Sequence, residues 1–284
     1  MRTIIHYIAI GVLVLGLTGC SGGDGGTSGP EVVAPPPPTQ PPSAPPAPPS
    51  VEPPPVEPPP AAPALPTGIW HGITQREGRS VIGVVLPSGQ TWMLYSVVGA
   101  PEWAGGLVTG TMTAKESTWA MDGALFLDPS YQARATVNAN GTWLIEQRLV
   151  GRFRVIYDPP SSGAPLYDTD GVDLIYDTRS KQPFNLTGAA GRYIGLTIPF
   201  QEVEIVLDAD GAITGRTAFG CTFHGQVEPS GPVSEGTVTF HGPPCQNGSA
   251  TVRGIVGVDT QAGLLYAAAV SSDKNQALLF IGRR

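Results

Sequence analysis

Proline is concentrated in one stretch of this 284-residue chain: 19 of its 31 prolines fall between Pro30 and Pro66. Proline has no amide hydrogen and a fixed φ, so it neither continues a helix nor donates to a sheet ladder. A run this dense prefers extended polyproline II, at about 3.1 Å per residue, so the stretch reaches on the order of 100 Å when straight. No core can include it. Folding is therefore expected only from Thr67 onward, with Ser21–Gly29 a Gly/Ser/Thr-rich coil ahead of the prolines. The stretch reads as a spacer rather than as a PxxP ligand, because a spacer needs no partner groove.

Ahead of the spacer, Arg2 precedes an apolar run from Ile4 to Leu17. A membrane-spanning helix needs about 20 such residues, so the run is too short for a retained anchor and reads as a leader. The following Leu17-Thr18-Gly19-Cys20 resembles the lipobox of bacterial lipoproteins. That resemblance implies removal of residues 1–19 as a signal peptide. It also implies diacylglycerol on the Cys20 sulfur and a third chain on its amine, the covalent lipid being the only prosthetic group expected. At about 0.8 kcal/mol per buried CH₂, three chains hold a protein stably to a bilayer. Ser21 stands where an Asp favours inner-membrane retention in such lipoproteins, so the resemblance implies the outer membrane. Either face of it remains open, and the membrane is the first expected partner.

The chain is acidic overall, with a net charge of −7 and three lysines, which argues against an electrostatic grip on nucleic acid. Low charge and 37 glycines oppose a mostly helical fold. Short β-rich runs separated by turn residues predict strands over Gly68–Thr74, Ser80–Leu86, Thr91–Val98, Leu107–Ala114, Thr118–Leu127, Tyr131–Asn138, Thr142–Tyr157 and Val172–Tyr176. A second series covers Gly191–Leu196, Glu202–Leu207, Ala212–Phe219, Cys221–Val227, Gly236–Gly242, Ala250–Val258, Leu264–Val270 and Gln276–Gly282. Helix is expected only as a turn near Leu186–Ala190. The fold class is all-β: two small antiparallel β-barrel or sandwich lobes, residues 67–177 and 178–284, after a disordered stalk comprising 20–66. One larger barrel with an extension is the alternative. Asn140-Gly141 reads as a type I′ hairpin turn, and the loop Asp158–Pro165 as the start of the seam between lobes. Gly68-Ile69-Trp70-His71-Gly72 and Gly191-Arg192-Tyr193-Ile194-Gly195 share a Gly-x-aromatic-x-Gly opening 123 residues apart, which points to duplication.

With Cys20 lipidated, Cys221 and Cys245 remain as an even pair for an oxidising compartment. Reflection about position 233 sets them opposite each other across a hairpin, and a bridge over this span contributes about 3 kcal/mol in the chain-entropy model. The same reflection brings His224 near His241 on the solvated face, behind Phe223 and Phe240. These histidines are weak metal candidates only, since no third ligand stands at motif spacing, and no metal is expected. Asp168-Thr169-Asp170-Gly171 with Asp173, and Asp208-Ala209-Asp210-Gly211, lack the closing glutamate of a calcium hand and read as turns. Glu202 and Glu204 share a strand face and read as solvated. Arg148, Arg152 and Arg154 form a stripe able to meet an anionic ligand, and Trp103, in the apparent loop Pro101–Gly106, is a contact candidate. The other tryptophans, Trp70, Trp92, Trp119 and Trp143, read as core. No nucleophile elbow, phosphate loop or zinc-protease helix is present, so the chain is read as no enzyme.

The opening Gly68–Gly72, with Asp208-Ala209-Asp210-Gly211-Ala212-Ile213-Thr214-Gly215, Gly220-Cys221-Thr222-Phe223 and Leu265-Tyr266-Ala267-Ala268-Ala269, resembles uncharacterised Gram-negative outer-membrane lipoproteins with β-barrel lobes. The layout of lipobox, low-complexity stalk and glycine-rich lobes is similar to transferrin-binding-type surface lipoproteins. This likeness implies the architecture alone; the function expected is a non-catalytic binding module for an unidentified protein or ligand. The alternatives are a barrel that carries a small apolar molecule or sugar and, less favoured, an envelope hydrolase.

Overall fold

A computed structural model of the chain describes residues 64–127, 133–157, 166–197 and 201–284. The expected leader, Cys20 and the proline-rich stretch as far as residue 63 lie outside the described residues. Two closed antiparallel barrels of eight strands each follow. The first runs through β1 (Gly68–Thr74), β2 (Ser80–Val85), β3 (Gln90–Val97), β4 (Ala100–Lys115), β5 (Thr118–Leu127), β6 (Ala133–Leu144), β7 (Arg148–Tyr157) and β8 (Leu166–Tyr176). The second comprises β9 (Gly191–Thr197), β10 (Gln201–Leu207), β11 (Ala212–Thr217), β12 (Thr222–Ser230), β13 (Val233–Phe240), β14 (Thr251–Asp259), β15 (Leu264–Val270) and β16 (Ala277–Arg283). Between them stand a 3₁₀ turn, Thr178–Lys181, and the one-turn helix α1 (Leu186–Ala189).

The repeated opening motif closes each barrel. Gly72 pairs with Leu174 of β8, and Gly195 with Gly282 of β16. A Cβ at Gly72 would lie 1.9 Å from the Asp173 carbonyl, and one at Gly195 2.1 Å from that of Ile281. Only glycine lets the last strand dock against the first there. The aromatic of each motif turns inward and is fully buried. Trp70 Nε1 donates to the Pro66 carbonyl at 2.9 Å and Tyr193 Oη to the Ala189 carbonyl at 2.6 Å, both four residues back. The next turns also match. Gly89 N donates to Leu86 O and Met112 N to Gly89 O, while Gly211 N donates to Asp208 O and Val227 N to Gly211 O. Gly89 and Gly211 have φ of 85° and 89°, conformations that glycine alone adopts without cost. The two barrels are one design used twice.

Three local expectations are corrected. Asn140-Gly141 is not a turn: β6 continues through it, and the β6–β7 turn falls at 145–147, with Glu146 at φ 51°. Gly141 pairs with Gly151, and a Cβ at Gly151 would meet the Trp119 ring at 2.2 Å. The ring lies over this bare backbone, and its burial outweighs the local turn preference. Pro101–Gly106 is not a loop either. It belongs to β4, where residues 101–103 bulge between the pairs Val97↔Ala100 and Ser96↔Ala104; an unpaired bulge position tolerates the lack of an N–H donor at Pro101. The segment 158–165 lies outside the described residues, and β8 beyond it closes the first barrel, so the barrels divide after Tyr176, in line with the expected lobes 67–177 and 178–284 and not with a seam that begins at Asp158.

Cys221 and Cys245 are bonded, their Cα atoms 4.5 Å apart. The hairpin turns about Gly231-Pro232, three residues out of step with the expected reflection, so a straight continuation would set Cys221 opposite Gly242. A turn in which Cys245 N donates to Gly242 O at 2.7 Å brings the second cysteine back into reach.

Strands with one wet face alternate, as in β7, where Leu149, Gly151 and Phe153 point inward and Arg148, Arg152 and Arg154 outward. β2, β15 and β16 instead are buried on both faces along most of their length. Their second faces meet each other. Ile69, Ile82, Val84, Leu86, Trp92, Leu94, Ala104 and Leu107 of the first barrel cluster with Val233, Ile255, Tyr266, Ala268, Ala277, Leu279 and Ile281 of the second. Burial within this cluster pushes the Tyr266 phenol well above the usual tyrosine range.

At one edge of the junction Asp177 caps the 3₁₀ turn and is held by Arg179, whose Nη1 reaches Asp259 Oδ1 of the second barrel at 2.6 Å. His71 Nε2 lies 3.0 Å from Asp177 Oδ2. Burial lowers the His71 pKa, and Asp177 offsets this only in part; Asp177 and Asp259 are held below the usual carboxylate range by Arg179. An unfolded histidine takes its proton near pH 6.5, whereas folded His71 resists protonation to a lower pH. Stability from this group is therefore present above about pH 6.5 and falls as acidification lets the unfolded chain bind the extra proton. The thermal midpoint should drop between pH 7.5 and 5.5, and by less in His71→Gln. Equal drops in the two proteins would remove His71 from the linkage.

Candidate functional site

The two lumens differ. The second barrel is filled by Tyr193, Ile205, Phe223, Val238, Phe280 and their neighbours, with small voids of about 20 and 50 Å³ against its inward side chains. In the first barrel, Trp70, Trp119, Trp143, Met112 and Met121 plug the end where β1 begins. The opposite end, beside the β1–β2 turn, holds an open pocket of about 250 Å³. Val81, Met93, Val108, Leu125, Phe153 and Val172 wall it, one side chain from each of six strands. Each sits at an inward position of its strand, so the alternation that builds the lumen also builds the pocket.

Charged residues stand at its mouth. Arg76, on the β1–β2 turn, clamps the Asp168 carboxylate with Nη1 and Nη2 at 2.5 and 2.9 Å, and its backbone N–H donates to Asp170 Oδ1 at 2.9 Å. The Arg76 guanidinium lowers the Asp168 pKa. Arg79 donates to Glu77 Oε2 at 2.5 Å and lies 5.5 Å over the Tyr95 ring. Burial pushes the Tyr95 phenol well above the usual range, and the Tyr157 phenol is raised by the same cause. Both tyrosines therefore present neutral hydroxyls at neutral pH. The result is an apolar floor under a rim of two guanidiniums and three carboxylates.

Most of the residues that the sequence singles out lie away from this mouth, and the structure brings together the pairs His224–His241 and Arg148–Asp173 among them. Trp103 sits on the β4 bulge at the same end of the barrel as the pocket and is 36% exposed, without lining it. Arg148, Arg152 and Arg154 lie on the outer face of β7, while their neighbour Phe153 lines the pocket. Arg148 Nε donates to Asp173 Oδ1 at 2.7 Å. Asp168 and Asp170, expected in a turn, are instead strand residues of β8 engaged with Arg76. Asp208–Gly211 is the expected turn, with Asp210 Oδ1 accepting from Ala212 N at 3.1 Å. Glu204 is clasped between Arg192 and Arg216, which hold its pKa down to about 2. His224 and His241 meet on the outer wall of the second barrel, Nδ1 to Nε2 at 2.5 Å. Among the described residues no group of three or more His, Cys, Asp or Glu is placed to hold a metal ion.

Sequence reasoning missed Arg76, Tyr95 and Phe153 as pocket residues. Inward positions were readable, but a void depends on how six side-chain volumes sum across strands far apart in the chain. A wider cleft of about 820 Å³ runs between the barrels, past Gln90, Trp92, Glu235 and Arg253. Its amides are already engaged: Gln90 Nε2 donates to Thr109 Oγ1 and Gln226 Nε2 to Asp210 O. Comparison of the chain with known protein families, with curated proteins and with solved structures gives no match.

Proposed function

We propose that this chain is a lipid-anchored lipoprotein of the bacterial outer membrane whose paired barrels form a non-catalytic binding module, with the mouth of the first barrel as its contact site. The single observation that carries the site is the asymmetry of the lumens: one holds small voids of about 20 and 50 Å³, while its twin keeps an apolar pocket of about 250 Å³ behind a charged rim. That volume lies below the roughly 300–1,000 Å³ of clefts that enclose whole ligands. It suits one apolar side chain of a partner protein, ringed by polar contacts, which is the arrangement of an interface anchor. A free ring-sized apolar molecule is the second reading, supported by the same walls. Reach comes from the spacer, and attachment from lipid on Cys20.

The anchor is tested by mass spectrometry of the native protein, expected to begin at acylated Cys20; an intact, unmodified leader would overturn it. The contact site is tested with a photocrosslinking residue placed at Glu77 on the rim or at Glu116 in the β4–β5 turn at the other end of the barrel. Irradiated cells should give a discrete adduct from position 77 and not from 116. Val108→Trp, which fills the pocket from its wall, should abolish that adduct. Adducts of equal yield from both positions, or one that survives the filled pocket, would remove the mouth from the reading.

A further inference from the structure

We infer that His224 and His241 form a surface site for a copper(II) ion. His224 stands in β12 on the outward face, opposite Thr239, and His241 follows the end of β13. Their rings are T-shaped with centroids 4.6 Å apart, and Nδ1 of one faces Nε2 of the other. Two imidazole nitrogens aimed at one point repel through their lone pairs unless a proton or a metal lies between them. Here one ring donates to the other, and moving its proton to its far nitrogen leaves two lone pairs converging on a single position.

The frame around that position is rigid. His241 N donates to Thr222 O at 3.1 Å, and the Cys221–Cys245 bond closes the same end of the hairpin. Adjacent corners of a tetragonal ion with bonds of about 2.0 Å lie about 2.8 Å apart, and tetrahedral zinc needs about 3.3 Å. From 2.5 Å, the tetragonal ion requires the smaller opening. Imidazole suits copper, and copper(II) also heads the order of divalent affinities. With two protein donors among the described residues and both rings exposed, the remaining positions belong to solvent, so the site captures and releases the ion rather than using it to fold.

The test uses the mature full-length protein titrated with copper(II) against glycine as a weak competitor. One ion per chain is expected, with a frozen-solution electron paramagnetic resonance spectrum showing coupling to two nitrogens. His224→Gln and His241→Gln should each weaken binding at least tenfold, and Thr239→Ala, on the same face with both imidazoles kept, should leave it unchanged. Unaltered copper affinity in either histidine variant would overturn the assignment. So would coupling to a single nitrogen, or displacement of bound copper by equimolar zinc. Circular dichroism of both glutamine variants, expected to match the parent, separates loss of a ligand from loss of the fold.

Discussion

Leu94→Asp is expected to lower the unfolding free energy by about 4 kcal/mol or more. Leu94 is fully buried between Ile82 and Leu107 in the cluster that joins the two barrels. Truncating a buried leucine alone costs about 2–5 kcal/mol, and a carboxylate without a partner adds a desolvation penalty of several more. The chain can relieve that penalty by parting the barrels, which exposes the remaining apolar residues of the junction to water. Either response lowers the midpoint in urea. Parting would also make the connection 178–190 a faster protease target. Leu94→Met, similar in volume, should cost less than about 1.5 kcal/mol. An aspartate variant with an unchanged midpoint would mean that the cluster does not hold the barrels together.

The residues that make this junction were visible in the sequence, but their meaning was not. Leu264–Val270 and Ala277–Ile281 are apolar at successive positions, whereas a strand with one wet face alternates, as Arg148–Arg154 does. Continuous apolarity says that both faces are covered, yet nothing local names the cover, which here is another barrel. Strand positions were legible because turn residues and alternation are local signals. The β6–β7 turn was missed because non-local contacts claim the glycine that a local rule assigns to a hairpin: a Cβ at Gly141 would meet the Val150 carbonyl, and its strand partner Gly151 lies under the Trp119 ring. The histidine pair survived a register error of three residues because both side chains stay on the outer face and diagonal neighbours in a sheet still touch. The pocket had no sequence signal, since its walls are ordinary core residues whose volumes fail to sum.

Trp70→Ala should cost about 3–5 kcal/mol, the range for removing a buried aromatic. The indole is 1% exposed, packs edge-on against Tyr176 with centroids 5.1 Å apart, and donates to the Pro66 carbonyl. Its counterpart Tyr193 permits a narrower change. Tyr193→Phe keeps the ring and deletes the hydroxyl that donates to Ala189 and accepts from Arg284 Nε at 3.1 Å, so about 1–2 kcal/mol is expected. The ratio of the two losses measures how much of the repeated motif's role is ring volume and how much is the bond that staples the entering chain to its barrel. Because 15 buried side chains join the barrels, damage inside the first barrel should also destabilise the second. One cooperative transition, lowered by roughly 10 °C at about 2–4 °C per kcal/mol, is expected in calorimetry of Trp70→Ala. Two resolved transitions, with the upper one unmoved, would show that each barrel stands alone and that duplication of the fold was never followed by its thermodynamic fusion.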